Sequence, residues 1–408
     1  MRHTNLRSLG KIGFVAGLLA LAPCGVVRAD LAADLAVIRA VGPEGLGNRD
    51  AQAAWKGVAA VGAEKIPEIL AGMDGAGLLA ANWLAAAVDT IAARSDTLPL
   101  DDIRDFLADE RHDPHARRLA WELIRDRAPE EAEELVVAML DDPSVELRRE
   151  AVSRELDAAR GLETAGPQAE AVARFRRALG AARDVDQIEA ATKALEAAGE
   201  TVDLPQLFGF LMHWNVVGVF DNKDGAGFAA IYPPEEPHPL VVGGTYAGRD
   251  GTVSWRPFVT ADRYGMVDIN KAYPGPDDGL KEVVAYAFTT FDAPEARDAE
   301  IRLGCKNAWK IWLNGALVFG REEYHRGMQI DQYRLPVTLR EGPNTILIKL
   351  CQDEQKQEWT KEWQFQMRIC DATGTAIHAV GRPATPTAEE AAATAAPPAA
   401  PANEEAGR

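Results

Sequence analysis

Near Thr201 the pattern of this 408-residue chain changes, and that break limits its architecture more than any other feature. Before it, alanine and leucine recur at helical spacing. After it, β-branched and aromatic residues alternate between Gly, Pro and Asn-Gly punctuation, and six of the nine tryptophans lie there. Such a chain is predicted to be a multidomain α + β protein, with a helical region at 30–200 and an antiparallel β-sandwich at 201–382.

Within the helical part, residues 131–140 set Ala132, Leu135, Val136, Met139 and Leu140 on one stripe, as an amphipathic helix requires. The next helix is expected to begin at Asp142-Pro143, because aspartate caps free N–H groups and proline suits the first helical position. The same start recurs at Asp113-Pro114, again followed by paired arginines, Arg117-Arg118 against Arg148-Arg149. A fainter copy runs from Ile66-Pro67 to Trp83-Leu84. On "AMLDDPSVELRREAV" and its echo "DERHDPHARRLAWEL" the segment resembles HEAT-like helical repeats. The resemblance implies an α-solenoid-like stack with a protein-binding surface; an irregular α-bundle is the alternative.

The β part is anchored by "KIWLNGALVFG", residues 310–320. Asn314-Gly315 suits a two-residue type I′ turn, which pairs Leu313 with Ala316, Trp312 with Leu317 and Ile311 with Val318. Trp309, Ile311, Leu313, Ala316 and Val318 then share one face, and Lys310, Trp312, Leu317 and Phe319 the other. A hairpin apolar on both faces belongs inside a sandwich or beneath a cover. Further rows, Ile346, Ile348, Leu350 and Trp363, Phe365, Met367, Ile369, supply one core. The stretches "KIWLNGALVF" and "LREGPNTILIKLCQ" resemble galactose-binding-like jelly rolls, and the pairing with helical repeats is similar to that of uncharacterised secreted bacterial proteins. That resemblance implies fold more than ligand.

Most enzyme classes lack their atoms here. The six histidines beyond the first 29 residues, His112, His115, His213, His238, His325 and His378, form no HExxH pattern and read as surface residues. Ser95, Ser144, Ser153 and Ser254 lie in no GxSxG elbow, and "GGTYAG" precedes no helix. The carboxylates Asp221, Asp224, Asp262, Asp268, Asp277, Asp278 and Asp331 read as solvated loop residues rather than a catalytic pair. A non-catalytic binding or scaffold protein is therefore expected. Apolar sugar faces stack on exposed rings, which makes Trp255, Trp312, Tyr324 and Trp359 the ligand-binding candidates, although for Trp312, on the second face of the hairpin, burial under a neighbouring element is the favoured reading. No cofactor is expected; "DNKDGAG" offers Asp221, Asn222 and Asp224 as oxygen ligands for Ca²⁺, with a plain hairpin loop as the alternative, and "PGPDDG" offers less.

Arg2, Arg7 and Lys11 precede an apolar run from Ile12 to Ala22, and Val27-Arg28-Ala29 suits cleavage, so residues 1–29 are expected to be a secretory signal peptide. A competing reading makes Cys24 a lipoprotein site, but the proline before it departs from that pattern. The expected location is the periplasm or outside the cell. Losing the four basic residues of that segment would move the net charge from −18 to about −22, which disfavours nucleic acid and anionic membrane and leaves glycan or an envelope protein as partners. Of the remaining cysteines, Cys351 and Cys370 are the disulfide candidates and Cys305 points into the core. Residues 383–408, mostly alanine and proline, are expected to be a disordered tail. A purely structural envelope module, or an accessory region of a polysaccharide-acting enzyme, is the alternative to a binding protein.

Overall fold

The computed structural model describes residues 30–236, 242–273, 275 and 279–395. The expected signal segment, Cys24, His238, Asp277, Asp278 and residues 396–408 lie outside them. The chain divides into two compact units, one ending at Ile124 and the other beginning at Arg125. Its helices are α1 (Leu31–Arg39), α2 (Asn48–Val58), α3 (Ile66–Ala71), α4 (Leu78–Arg94), α5 (Leu100–Ala108), α6 (Pro114–Arg127), α7 (Pro129–Val137), α8 (Val145–Ala165), α9 (Gln168–Ala181), α10 (Val185–Ala197), α11 (Leu204–Phe208) and α12 (Ala388–Ala395).

A shared device opens α6 and α8. Asp113 Oδ1 accepts from the N–H groups of His115 and Ala116, and the buried Arg117 sends Nε to the Leu107 carbonyl at 2.9 Å. Ser144 Oγ accepts from Leu147 N–H, and Arg148 sends Nε to the Asp142 carbonyl at 2.8 Å. The interval from Asp113 to Ser144 equals that from Arg117 to Arg148, so Ser144, not Asp142, is the cap that matches Asp113. Asp142 instead accepts from Ser144 N–H at 2.8 Å. In both copies the arginine satisfies carbonyls left open where the chain enters the next helix, which accounts for its recurrence.

The strands are β1 (His213–Asp221), β2 (Thr245–Gly248), β3 (Gly251–Ser254), β4 (Arg256–Val259), β5 (Val267–Asp268), β6 (Val283–Ala293), β7 (Arg297–Cys305), β8 (Ala308–Leu313), β9 (Ala316–Arg321), β10 (Tyr333–Leu339), β11 (Gly342–Gln352) and β12 (Gln364–Cys370). A six-stranded antiparallel sheet runs β4-β1-β6-β11-β8-β9, a four-stranded one β10-β7-β12-β5, and β2 pairs with β3. Between the larger two, Trp309, Ile311, Ile346, Ile348 and Leu350 meet Ile301, Leu303, Phe365, Met367 and Ile369. The period-two rows close on one another, each large side chain contributing roughly 1.5–3 kcal/mol on burial.

The hairpin departs from its expected register by one residue. Leu313 pairs with Ala316 and Trp312 with Leu317, but a bulge then brings Ile311 opposite Phe319 rather than Val318. Phe319 thus turns to the side of Trp309, its ring centroid 5.9 Å away.

The outward row of β12 is not solvated. Gln366, Arg368 and Cys370 are buried, because Phe208, Phe210 and Met212 continue the core of α8 to α10 into the sandwich, with Tyr264 and Ile330 packed against them. Cys370 lies on this outer face of the small sheet, whereas Cys351 belongs to the cluster on the outer face of the large one. The core stands between them, so the expected disulfide does not form; Cys305, Cys351 and Cys370 are free and buried. Burial pushes the Cys305 and Cys351 thiols up to about 12 and Cys370 up to about 11. All three are therefore expected to resist a thiol-specific reagent at pH 8 and to react together in denaturant. Rapid labelling of any of them in the native protein would contradict this packing.

The expected disordered tail is ordered over its first part. Ala384 N–H donates to Gln206 Oε1, and Thr387 and Glu390 cap each other's N–H groups at 3.2 and 2.7 Å to open α12. Alanine-rich text without aromatics reads as inert, yet alanine is the best helix former once a capping box supplies the start.

Candidate functional site

The outer face of the six-stranded sheet carries a second aromatic layer. Val217, Phe220, Trp255, Tyr286, Phe288, Trp312 and Leu347 form its floor. Phe228, Tyr232, Tyr246 and Val253 lie over them. Trp255 donates Nε1 to Tyr246 Oη at 3.1 Å and meets Phe288 edge-on. At 8% and 9% exposure, Trp255 and Trp312 offer no open platform. The strap between Asn222 and Glu236 is fastened by lysines. Lys349, wholly buried in the central strand, donates to Glu235 Oε1 at 2.7 Å and to the Phe228 and Ala230 carbonyls, and Lys310 sits over the Phe228 ring.

At one end of this layer the remaining candidates meet. Asn222 is fully buried and donates Nδ2 to Tyr324 Oη at 3.2 Å and to the Gln352 carbonyl at 2.9 Å. The next residue, His325, holds a left-handed backbone (φ 55°) and its Nε2 lies 2.5 Å from Asp353 Oδ1. Asp353 also accepts from the backbone and side-chain N–H groups of Gln355 at 3.1 and 3.0 Å. Thr360, equally buried, donates Oγ1 to the Gln355 and Gln357 carbonyls, while Lys281 and Gln352 donate to its own carbonyl. This framework projects Trp359, 59% exposed, with its ring edge-to-face on His325 at 5.6 Å.

The rings thus separate into two kinds. Trp359 is open, Tyr324 is half-buried against the covered cluster with its ring near His325, and Trp255 and Trp312 are part of that covered core. His325, expected at the surface, has a buried side chain because Asp353 and the Trp359 ring pack on it, and Asp353 and Thr360 were missed by pattern reading. Three polar residues in non-periodic text carry no signal until their distant partners are known.

The three oxygen-bearing residues of "DNKDGAG" do not form one ligand set. Asp221 and Asp224 are exposed while Asn222 is turned into the protein. Asp221 Oδ1 accepts from Lys223 N–H, the mark of an ordinary turn. Among the described residues no group of three His, Cys, Asp or Glu side chains is placed to hold a metal ion. Asp331, expected in a solvated loop, is instead buried between Arg302 and Arg368.

No protein-family model and no curated protein sequence matches the chain. Among solved structures, a β-glucosidase from Kluyveromyces marxianus is similar over 39% of this chain and 16% of its own, with 10% identity and a TM-score of 0.24. A PA14 sugar-binding domain from an RTX adhesin covers 23% of this chain and 55% of its own at 18% identity, TM-score 0.16. An anti-sigma factor domain-containing protein covers 37% and 53% at 12% identity, TM-score 0.23. This chain thus spans about half or less of each, and such faint likenesses carry no argument about its activity. Among the described residues, no helix is long and apolar enough to cross a membrane.

Proposed function

We propose that this is a non-catalytic carbohydrate-binding protein of the cell envelope, secreted or periplasmic, with a jelly-roll-like sandwich as binding module and HEAT-like helices as a protein-binding scaffold. The observation that carries the reading is the exposed Trp359 ring on a rigid support. A ring fixed before the ligand arrives loses little entropy on binding. The exposed Gln357 lies two residues before it in the same loop, and a planar amide suits sugar hydroxyls. Affinity would be modest, since one ring and a shallow surface bury little area.

A glycan array probed with the full chain tests this. Trp359→Ala is expected to weaken binding about 30-fold, the ~2 kcal/mol of a truncated aromatic hot spot, while leaving the melting temperature unchanged. Trp312→Ala should instead lower stability. Absence of binding to every glycan would favour the second reading, a purely structural module. The burial of Trp255 and Trp312 under the chain's own strap supports that alternative.

A further inference from the structure

We propose that Lys349 and Glu235 join through an intramolecular isopeptide bond, stapling the strap over the aromatic layer to the central strand β11. Two ions of opposite charge are held together where water is absent: Lys349 is 0% and Glu235 6% exposed at the side chain, with nitrogen and Oε1 2.7 Å apart. Two backbone carbonyls, Ala230 at 2.6 Å and Phe228 at 3.3 Å, fix the amine. The Tyr286 hydroxyl donates to the same Oε1, and the Tyr232 and Tyr286 rings stand 5.3 and 5.7 Å from the nitrogen. Nucleophile, electrophile and an acid aimed at the leaving oxygen therefore occupy one dry site.

The chemistry follows from that environment. An interior that resists isolated ions favours moving one proton from the ammonium to the carboxylate, which yields the reactive pair, a neutral amine and a carboxylic acid. Burial pushes the Lys349 ammonium below its ordinary value against the pull of Glu235. The nitrogen attacks Cδ of Glu235, a C–N bond forms, and the C–Oε1 bond breaks. Oε1 leaves as water with two protons, both supplied by the original ammonium; Tyr286 relays one and is regenerated. Oε2 becomes the amide oxygen and the remaining N–H stays on the Ala230 carbonyl. Ammonium plus carboxylate thus become amide plus water, with no oxidant or cofactor. Confinement supplies the driving force: well-oriented groups react as though at ~10⁵ M or more, and the neutral product relieves the desolvation of both ions.

Tryptic mapping of the unfolded full chain tests the bond directly. A joined Lys349 resists trypsin, so the peptide 224–249 is expected to appear attached to 341–356, one water lighter than the two together. Lys349→Met should return 224–249 as a linear peptide and lose the branched species. The reading of the wild-type chain does not depend on whether that variant folds. Recovery of 224–249 and of cleavage after Lys349 from the wild-type protein, both at unmodified mass, would overturn the proposal.

Discussion

Asp331→Asn is expected to cost about 3–5 kcal/mol of folding stability, read as a lower urea midpoint with unchanged slope. Asp331 accepts from Arg302 at 2.8 Å and from both forks of Arg368 at 2.7 and 2.5 Å, and the side chains of the two arginines are each 3% exposed. Removing the charge leaves two buried guanidinium groups without the carboxylate they share; among the described residues Glu300 stays beside Arg302, and Arg368 keeps the Phe208 and Gly374 carbonyls. Asparagine isolates this effect because Asp331 sits at φ 59°, a conformation that Asn tolerates and most residues do not. A loss below about 1 kcal/mol would mean that water reaches the arginines.

The same site sets an acid limit. Burial alone would raise the Asp331 carboxyl, but the hydrogen bonds and charges of Arg368 and Arg302 outweigh it and hold the group below its ordinary value. A carboxyl depressed in the folded state contributes stability in full above the unfolded value of about 3.9 and loses it as pH falls through the folded one. The wild type should therefore lose more stability below pH ~4 than the asparagine variant does, and the two curves should converge there.

What the sequence made legible was local. The break at Thr201, the alternating rows and the Asn-Gly turn rest on neighbours one to four positions apart, where periodicity speaks. The bulge at Val318 displaced the register because one extra residue in a six-residue strand leaves no periodic trace. Arg368 and Gln366 alternate outward as a solvated row would; only the helices folding over them, and Asp331 in a separate loop, reveal a buried face. Trp359 could be named from its loop position, but not its support, since His325 and Asp353 come from different connections. Trp255 and Trp312 have the composition of a platform and are closed by a strap whose anchor, Glu235, is remote from Lys349 in the chain. Burial by distant segments is the common cause of these differences.

Asn344 provides the second large effect, and it concerns why the large sheet ends where it does. Fully buried, it donates Nδ2 to the Arg340 and Gly342 carbonyls at 2.7 and 3.0 Å and accepts through Oδ1 from Arg340 N–H and Asn314 Nδ2 at 3.0 and 2.9 Å. Asn314 in turn accepts from Thr345 N–H at 3.0 Å, so the tip of the β8–β9 hairpin is tied to the β10–β11 turn. Asn344→Leu keeps a branched side chain but a larger one, and it makes none of the hydrogen bonds of the Asn344 amide; about 3 kcal/mol should be lost as backbone groups are left unsatisfied and the site is overfilled. Asn344→Asp should be worse, although it is closer in shape. Its carboxylate still accepts from Arg340 N–H and Asn314, but it can donate nothing and faces two carbonyl oxygens without water. If chemical denaturation placed the aspartate variant above the leucine variant, the amide would be acting through shape alone, and the tie between the two turns would not be what closes this end of the sandwich.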